Sequence, residues 1–263
     1  MIGAIIGDTV GSVYEFDNIK TKDFEFLTGM NEFTDDSVMT IAVAKAILNC
    51  KGDYTDFENQ LIDCMKYYGK HYPNAGYGGT FYRWVLGNNR EPYSSWGNGS
   101  AMRVSPCAFA ANSLEEAETL AERSAAVTHN HPEGIKGAKA VAAAIYLARA
   151  GKAQDEIKKY ITDNYYKIDF TLDEIRPYYS FDVSCMGSVP QALECFFEAT
   201  DFEDAIRNCI SIGGDCDTTA AMAGAIAEAY FGIPEKFKEQ ISYFLTDEMK
   251  EVVNDFTAEF MNK

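Results

Sequence analysis

The chain has 263 residues, 47% of them hydrophobic, enough for one large core, and a single domain over residues 1 to 263 is expected. A formal net charge of −17 argues against a nucleic-acid partner, because binding a phosphate backbone calls for a basic stripe. Seven scattered cysteines without a CxxC pair fit reduced, buried thiols rather than a disulfide framework or a zinc site, so a cytoplasmic protein is expected.

The first segment, MIGAIIGDTVGSVYEF, lacks the basic region of a signal peptide and reads as a Gly-punctuated helix carrying Asp8 and ending near Glu15. DDSVMTIAVAKAILNC and YTDFENQLIDCMKYYGKHY follow, each with apolar residues at i, i+3, i+4 and i+7, and predict two amphipathic helices. Residues 73–103 are rich in Gly, Asn, Tyr and Trp and predict a long ordered loop of the kind that carries function. Beyond it, helices are predicted over 106–111, 113–128 with Ser113 as N-cap, 134–150, 153–164, 189–199, 201–212, 218–231 and 234–262. No strand alternation is present, so the fold class is all-α, a compact globule of orthogonal helices. No apolar run approaches the roughly 20 residues that a membrane span needs.

Two helix starts hold more acid than a cap requires. FTDDS places Thr34, Asp35 and Asp36 at the unpaired N–H groups of a helix beginning near Ser37, and a capping cluster favoured by the helix dipole is the plain explanation. GGDCDTT repeats the pattern with Asp215, Asp217, Thr218 and Thr219. Carboxylates and hydroxyls without competing His or thiolate are the ligands of Mg²⁺, Mn²⁺ or Ca²⁺, and shared cations would remove the like-charge penalty of burying four carboxylates together. Asp8 reads as a buried carboxylate bonding backbone amides, whereas Glu15 reads as either a metal or water contact or a solvated acid. In SWGNGSAMR, the glycines around Asn98 and Ser100 would present backbone N–H groups to an anion, and Arg103 would serve a phosphate or a structural carboxylate. Of the histidines, His129 is the one expected to touch substrate, and His71 is expected at the surface.

In their order along the chain, GAIIGDTVGSVYEF, FTDDSVMT, GNGSAMRVSP, THNHPEGIKGAKAVAAAI, SVPQALECF and GGDCDTTAAMAGAIAEAYFG resemble the ADP-ribosylglycohydrolase family over nearly the whole sequence. The resemblance implies an all-α fold with two divalent cations, Mg²⁺ or Mn²⁺, at the floor of an ADP-ribose cleft. Carried over by position, Thr34, Asp35, Asp36 and Asp217 would hold one cation, and Asp215, Asp217 and Thr218 the other, with Asp217 bridging and Glu15 as a mobile acid. Gly97, Asn98, Gly99, Ser100 and Met102 would embrace the diphosphate, His129 would contact it or the nearby ribose, and Ser188 would lie toward the adenosine.

The implied activity is hydrolysis at ribose C1″, releasing ADP-ribose from an ADP-ribosylated acceptor, with Glu15, Asp35 or Asp36 as the proton-transferring acid or base. A non-catalytic ADP-ribose-binding homologue is the alternative, but such a homologue is expected to have lost metal-binding acids, and all are present here. A monomer without membrane attachment is expected. The NHPEG wording after Thr128 departs from the pattern of some relatives and leaves the leaving group open.

Overall fold

The computed structural model describes residues 1–261, and among these no strand forms. Helices α1 (Ile2–Gly11), α2 (Asp35–Cys50), α3 (Phe57–His71), α4 (Gly79–Leu86) and α5 (Gly99–Met102) make up the first part of the chain. They are followed by α6 (Ser105–Ala110), α7 (Leu114–Ala126), α8 (Pro132–Arg149), α9 (Gln154–Asn164) and α10 (Leu172–Ile175). The last are α11 (Cys185–Phe197), α12 (Phe202–Ile212), α13 (Cys216–Phe231), α14 (Glu235–Ile241) and α15 (Asp247–Phe256), the last running into a π turn at Thr257–Met261. None of them is long and apolar enough to cross a membrane.

The centre of the fold is α13, whose residues from Cys216 to Glu228 are all buried. A helix apolar on every face must be surrounded, and α1, α8, α11 and α12 pack around it. Its closest partner is α1, where glycines recur every fourth residue. A Cβ at Gly3, Gly7 or Gly11 would fall 2.2 Å from Gly224 O, 2.0 Å from Ala220 O or 2.3 Å from Asp217 Cα. Backbone therefore packs on backbone along three turns, and the ends of α1 and α13 that carry Asp8 and Asp217 are brought together. Each Ile or Met buried in this core contributes roughly 1.5–3 kcal/mol.

Several sequence-based boundaries are corrected. The expected loop over 73–103 contains α4, whose buried Phe81, Trp84 and Val85 form a helical stripe, and the single turn α5. Its Gly- and Tyr-rich composition conceals that stripe. The single helix expected over 234–262 is broken after Ile241, because Thr246 caps α15 by accepting from Met249 N at 3.3 Å; Asn262 lies outside the described residues. Helix α11 starts at Cys185, four residues before the expected start, and α10 is an extra turn opened by the capping box of Thr171 and Glu174.

Candidate active site

Asp8 is the residue from which the site is built. It is fully buried on α1, and its carboxylate accepts from Thr34 N at 2.9 Å, Thr34 Oγ1 at 2.6 Å, Ser37 N at 3.0 Å and the Ser37 hydroxyl. Burial pushes its pKa up, and the four donors oppose that shift. It thereby pins the first turn of α2 and is the structural carboxylate that the sequence predicts. Thr34 is the N-cap of that helix, its Oγ1 accepting from Asp36 N at 3.3 Å while donating to Asp8. Helix α2 begins two residues before Ser37, so Asp35 and Asp36 stand in its first turn.

With that turn fixed, Asp36 faces α13. One of its oxygens accepts from Thr218 Oγ1 at 3.1 Å, while the other, Oδ1, is buried without any hydrogen-bond partner. Asp217 follows on α13 beside Asp215, whose Oδ2 accepts from Asn98 Nδ2 at 2.7 Å. Oxygens of Asp8, Asp36 and Asp217 lie within 4.8 Å of one another, as do those of Glu15, Asp215 and Asp217. Asp217 belongs to both groups.

Charge and burial act together here. Burial, then the neighbouring carboxylates, raise Asp35 from an ordinary 3.8 to about 8 and half-buried Glu15 from 4.5 to about 7. The same causes push Asp36 and Asp217 well above the usual carboxylate range, and burial raises Asp215 against the hydrogen bond from Asn98. So many acids cannot all ionise in one buried space without added positive charge. The orphaned Oδ1 of Asp36, the all-oxygen donor set and the sharing of Asp217 fit divalent cations.

Apart from Asp8, which lies beneath them, these carboxylates form the floor of a cavity of about 470 Å³. Of the sequence-predicted residues, Glu15, Asp35, Asp36, Gly97, Asn98, Gly99, Met102, His129, Asp215, Asp217 and Thr218 line it. Three do not. Thr34 is turned to Asp8, the Ser100 hydroxyl donates to Gly134 O at 2.7 Å, and buried Ser188 donates to Ser184 O at 2.7 Å inside α11.

One wall is the Gly97–Gly99 turn, held by Asn98 N donating to Val183 O at 2.8 Å and by an isolated bridge from Gly97 to Ser184. His129 stands behind it, with Nε2 3.2 Å from where a Cβ on Gly99 would lie. Buried Arg103 lines the cavity and donates to Ser124 O at 3.1 Å and to Thr128 Oγ1 at 2.8 Å, while its Nε has no hydrogen-bond partner. Thr128 Oγ1 also lies 2.7 Å from His129 Nδ1. Burial with the Arg103 charge holds the imidazole pKa well below its usual value, so the ring is neutral.

Further lining comes from the 73–103 stretch expected to carry function, namely Gly76, Gly78, Gly79, Thr80 and Phe81 around the start of α4, with exposed Phe16, Phe181 and Val183 at the rim, none of which the sequence singled out. YGGT was the available signal, glycines beside a polar residue with open space above them. His71 is at the surface, as expected, near Glu248.

The family model described as ADP-ribosylglycohydrolase matches residues 1–263. The mouse (Mus musculus) ADP-ribosylhydrolase ARH3 is 28% identical over 323 aligned positions, covering 93% of this chain and 86% of its own length. The ADP-ribosylarginine hydrolase Tri1 of Pseudomonas putida is 27% identical over 283 positions, covering 92% of this chain and 73% of its own length. Among solved structures, a chain from an ADP-ribosylglycohydrolase-related protein complex superimposes with a TM-score of 0.69 over 97% of this chain and 95% of its own. At 20% identity, that likeness bears on the fold.

Proposed function

Because the chain belongs to the ADP-ribosylglycohydrolase family, we propose that it hydrolyses the glycosidic bond at ribose C1″, releasing ADP-ribose from an ADP-ribosylated acceptor. Residues 1 to 263 act as one domain in this reading, with two divalent cations, Mg²⁺ or Mn²⁺. The observation that carries it is the place of Asp217 in two groups of converging carboxylate oxygens on the floor of one cavity.

Asp36 and Asp217 would hold one cation, with Asp35 and Thr34 beside them, and Glu15, Asp215, Asp217 and Thr218 the second. Bound there, the cations would supply charge neutralisation and Lewis acidity at the ribose. Glu15, half-buried in the cavity, takes up or gives a proton at the scissile bond; Asp35 and Asp36 are the alternative acids for that role, and Asp215 and Asp217 line the same space. Gly97, Asn98 and Gly99 present backbone to the diphosphate at close range, and His129 Nε2 stands beside that turn. Asn98 ties that turn to Asp215, so the anion-binding wall and the acidic floor keep a fixed separation.

A panel of ADP-ribosylated arginine, serine and nucleobase acceptors, assayed with Mg²⁺, Mn²⁺ and EDTA, tests the reading. Release of ADP-ribose from one class, abolished by EDTA, is expected. Tight binding of ADP-ribose without turnover on any acceptor would instead make this a binding protein.

A further inference from the structure

Glu15 is followed by an exposed stretch: Phe16 is 85% exposed, and Asp17 and Asn18 are exposed as well. Tyr14, edge-on to Phe24 at 5.1 Å, and Glu15 N, donating to Gly11 O at 3.1 Å, anchor the near side of Glu15. The tie to the Gly213–Gly214 loop is polar. Asn18 Nδ2 donates to Tyr14 O at 2.6 Å, to Glu15 O at 3.0 Å and to Gly214 O at 3.0 Å, while its Oδ1 accepts from Gly214 N at 2.7 Å. One side-chain amide therefore closes the turn that carries Glu15 and pairs reciprocally with the backbone immediately before Asp215. Lys20 adds a second tie, donating to Tyr179 O at 2.7 Å and to Ile212 O.

The receiving loop is shaped for this contact. Gly213 and Gly214 have φ of +69° and +79°, and a Cβ on Gly213 would lie 2.9 Å from Asn18 Oδ1 and 3.0 Å from Lys20 Nζ. The other acids do not depend on the segment: Asp36 is set by α2 and Asp217 by α13.

We propose that Asn18 is a positioning residue that sets the register of Glu15 against Asp215 and Asp217. The proposal rests on the metal-dependent reading above. Asn18 touches neither the cavity nor the acidic oxygens, and it acts through Glu15. The segment of Glu15 is accordingly tied to the Gly213–Gly214 loop, and Asn18 is the catch that would have to open for Glu15 to swing away.

A double-mutant cycle of Asn18→Ala and Glu15→Gln tests this, read once as Mn²⁺ affinity by calorimetry and once as turnover on the fastest acceptor. Asn18→Ala is expected to weaken Mn²⁺ binding and lower kcat by about 10-fold each, in the range for lost supporting contacts around a metal site. KM should stay within about twofold, since the diphosphate wall is untouched, and Asn18→Ala should add nothing in a chain already carrying Glu15→Gln. Because Asn18 is exposed, the variant should fold, which its melting curve will check. A full additional loss on the Glu15→Gln background would show that Asn18 acts on the structure at large, and unchanged Mn²⁺ affinity and kcat in Asn18→Ala would overturn the proposal. A wild-type chain that cleaves no acceptor refutes the proposed function, yet the Mn²⁺ cycle still decides the role of Asn18.

Discussion

Gly11 and Asp217 are in backbone contact: a methyl group on Gly11 would lie 2.3 Å from Asp217 Cα and 2.6 Å from Asp217 N. The acid shared by both groups of oxygens is thus placed by a glycine on another helix. Gly11→Ala must push α1 off the start of α13, an overpacking that costs roughly 1–3 kcal/mol. A melting temperature several degrees lower is expected, together with weakened Mn²⁺ binding by calorimetry. Gly29→Ala, at a position with nothing within 4 Å of the added Cβ, is the control and should change neither. An unaltered Gly11→Ala protein would mean that the two helices have room to separate without disturbing the floor.

The raised acid pKa values fix the sign of a pH effect. Asp35 and Glu15, at about 8 and about 7, bind protons in the folded state that the unfolded chain has already released. Their contribution to stability is therefore full below about pH 4 and is lost as pH rises through 7 and 8. In EDTA the melting temperature should fall across this window. Saturating Mn²⁺ binds the folded state and replaces the protons, so the fall should disappear. A melting temperature in EDTA that rises from about pH 5 to pH 8 would show these carboxylates to be stably ionised without a cation.

Gly99 faces His129 Nε2, and a Cβ there would already stand at 3.2 Å. Gly99→Val adds two further methyl groups between the turn and the imidazole, filling the place assigned to the diphosphate. ADP-ribose affinity by calorimetry should fall by at least about 10-fold, or 1.4 kcal/mol, while Mn²⁺ affinity is retained because the acids lie on other elements. Unchanged ADP-ribose affinity would remove this turn from the ligand site.

The acids were legible in the sequence because two helix starts each carried more carboxylate than capping uses. Their convergence was not, since it depends on α1 lying directly against α13, and a glycine every fourth residue reads locally as helix weakness rather than as close packing. Thr34 and Ser100 show the limit of position matching. Both have the expected identity, yet their hydroxyls are committed to Asp8 and to Gly134 O. Asn18 was invisible for a different reason. A polar residue in an exposed stretch has no signature until its partner, 196 residues away, is known. The helix α4 was hidden by composition, because its three buried side chains stand in a segment of eight residues inside a Gly- and Tyr-rich stretch that reads as loop.

Asp217 and Glu15 should fail in different ways. Burial first, and then the neighbouring Asp36, Asp215, Glu15 and Asp8, push the Asp217 carboxyl well above the usual range. Asp217→Asn removes the charge shared by both groups of oxygens, so Mn²⁺ affinity and turnover should disappear together. The same change relieves repulsion, so the variant in EDTA should melt no lower than the wild type and should lose the stabilisation that Mn²⁺ gives. Glu15→Gln leaves the Asp36 and Asp217 pair intact and keeps the diphosphate wall. Most ADP-ribose affinity should persist while turnover drops by roughly 10²- to 10⁴-fold, the loss typical of a missing acid or base. Calorimetry and turnover on the same two proteins separate these outcomes. Near-normal turnover in Glu15→Gln would return the proton-transfer role to Asp35, Asp36 or Asp215, which line the same cavity.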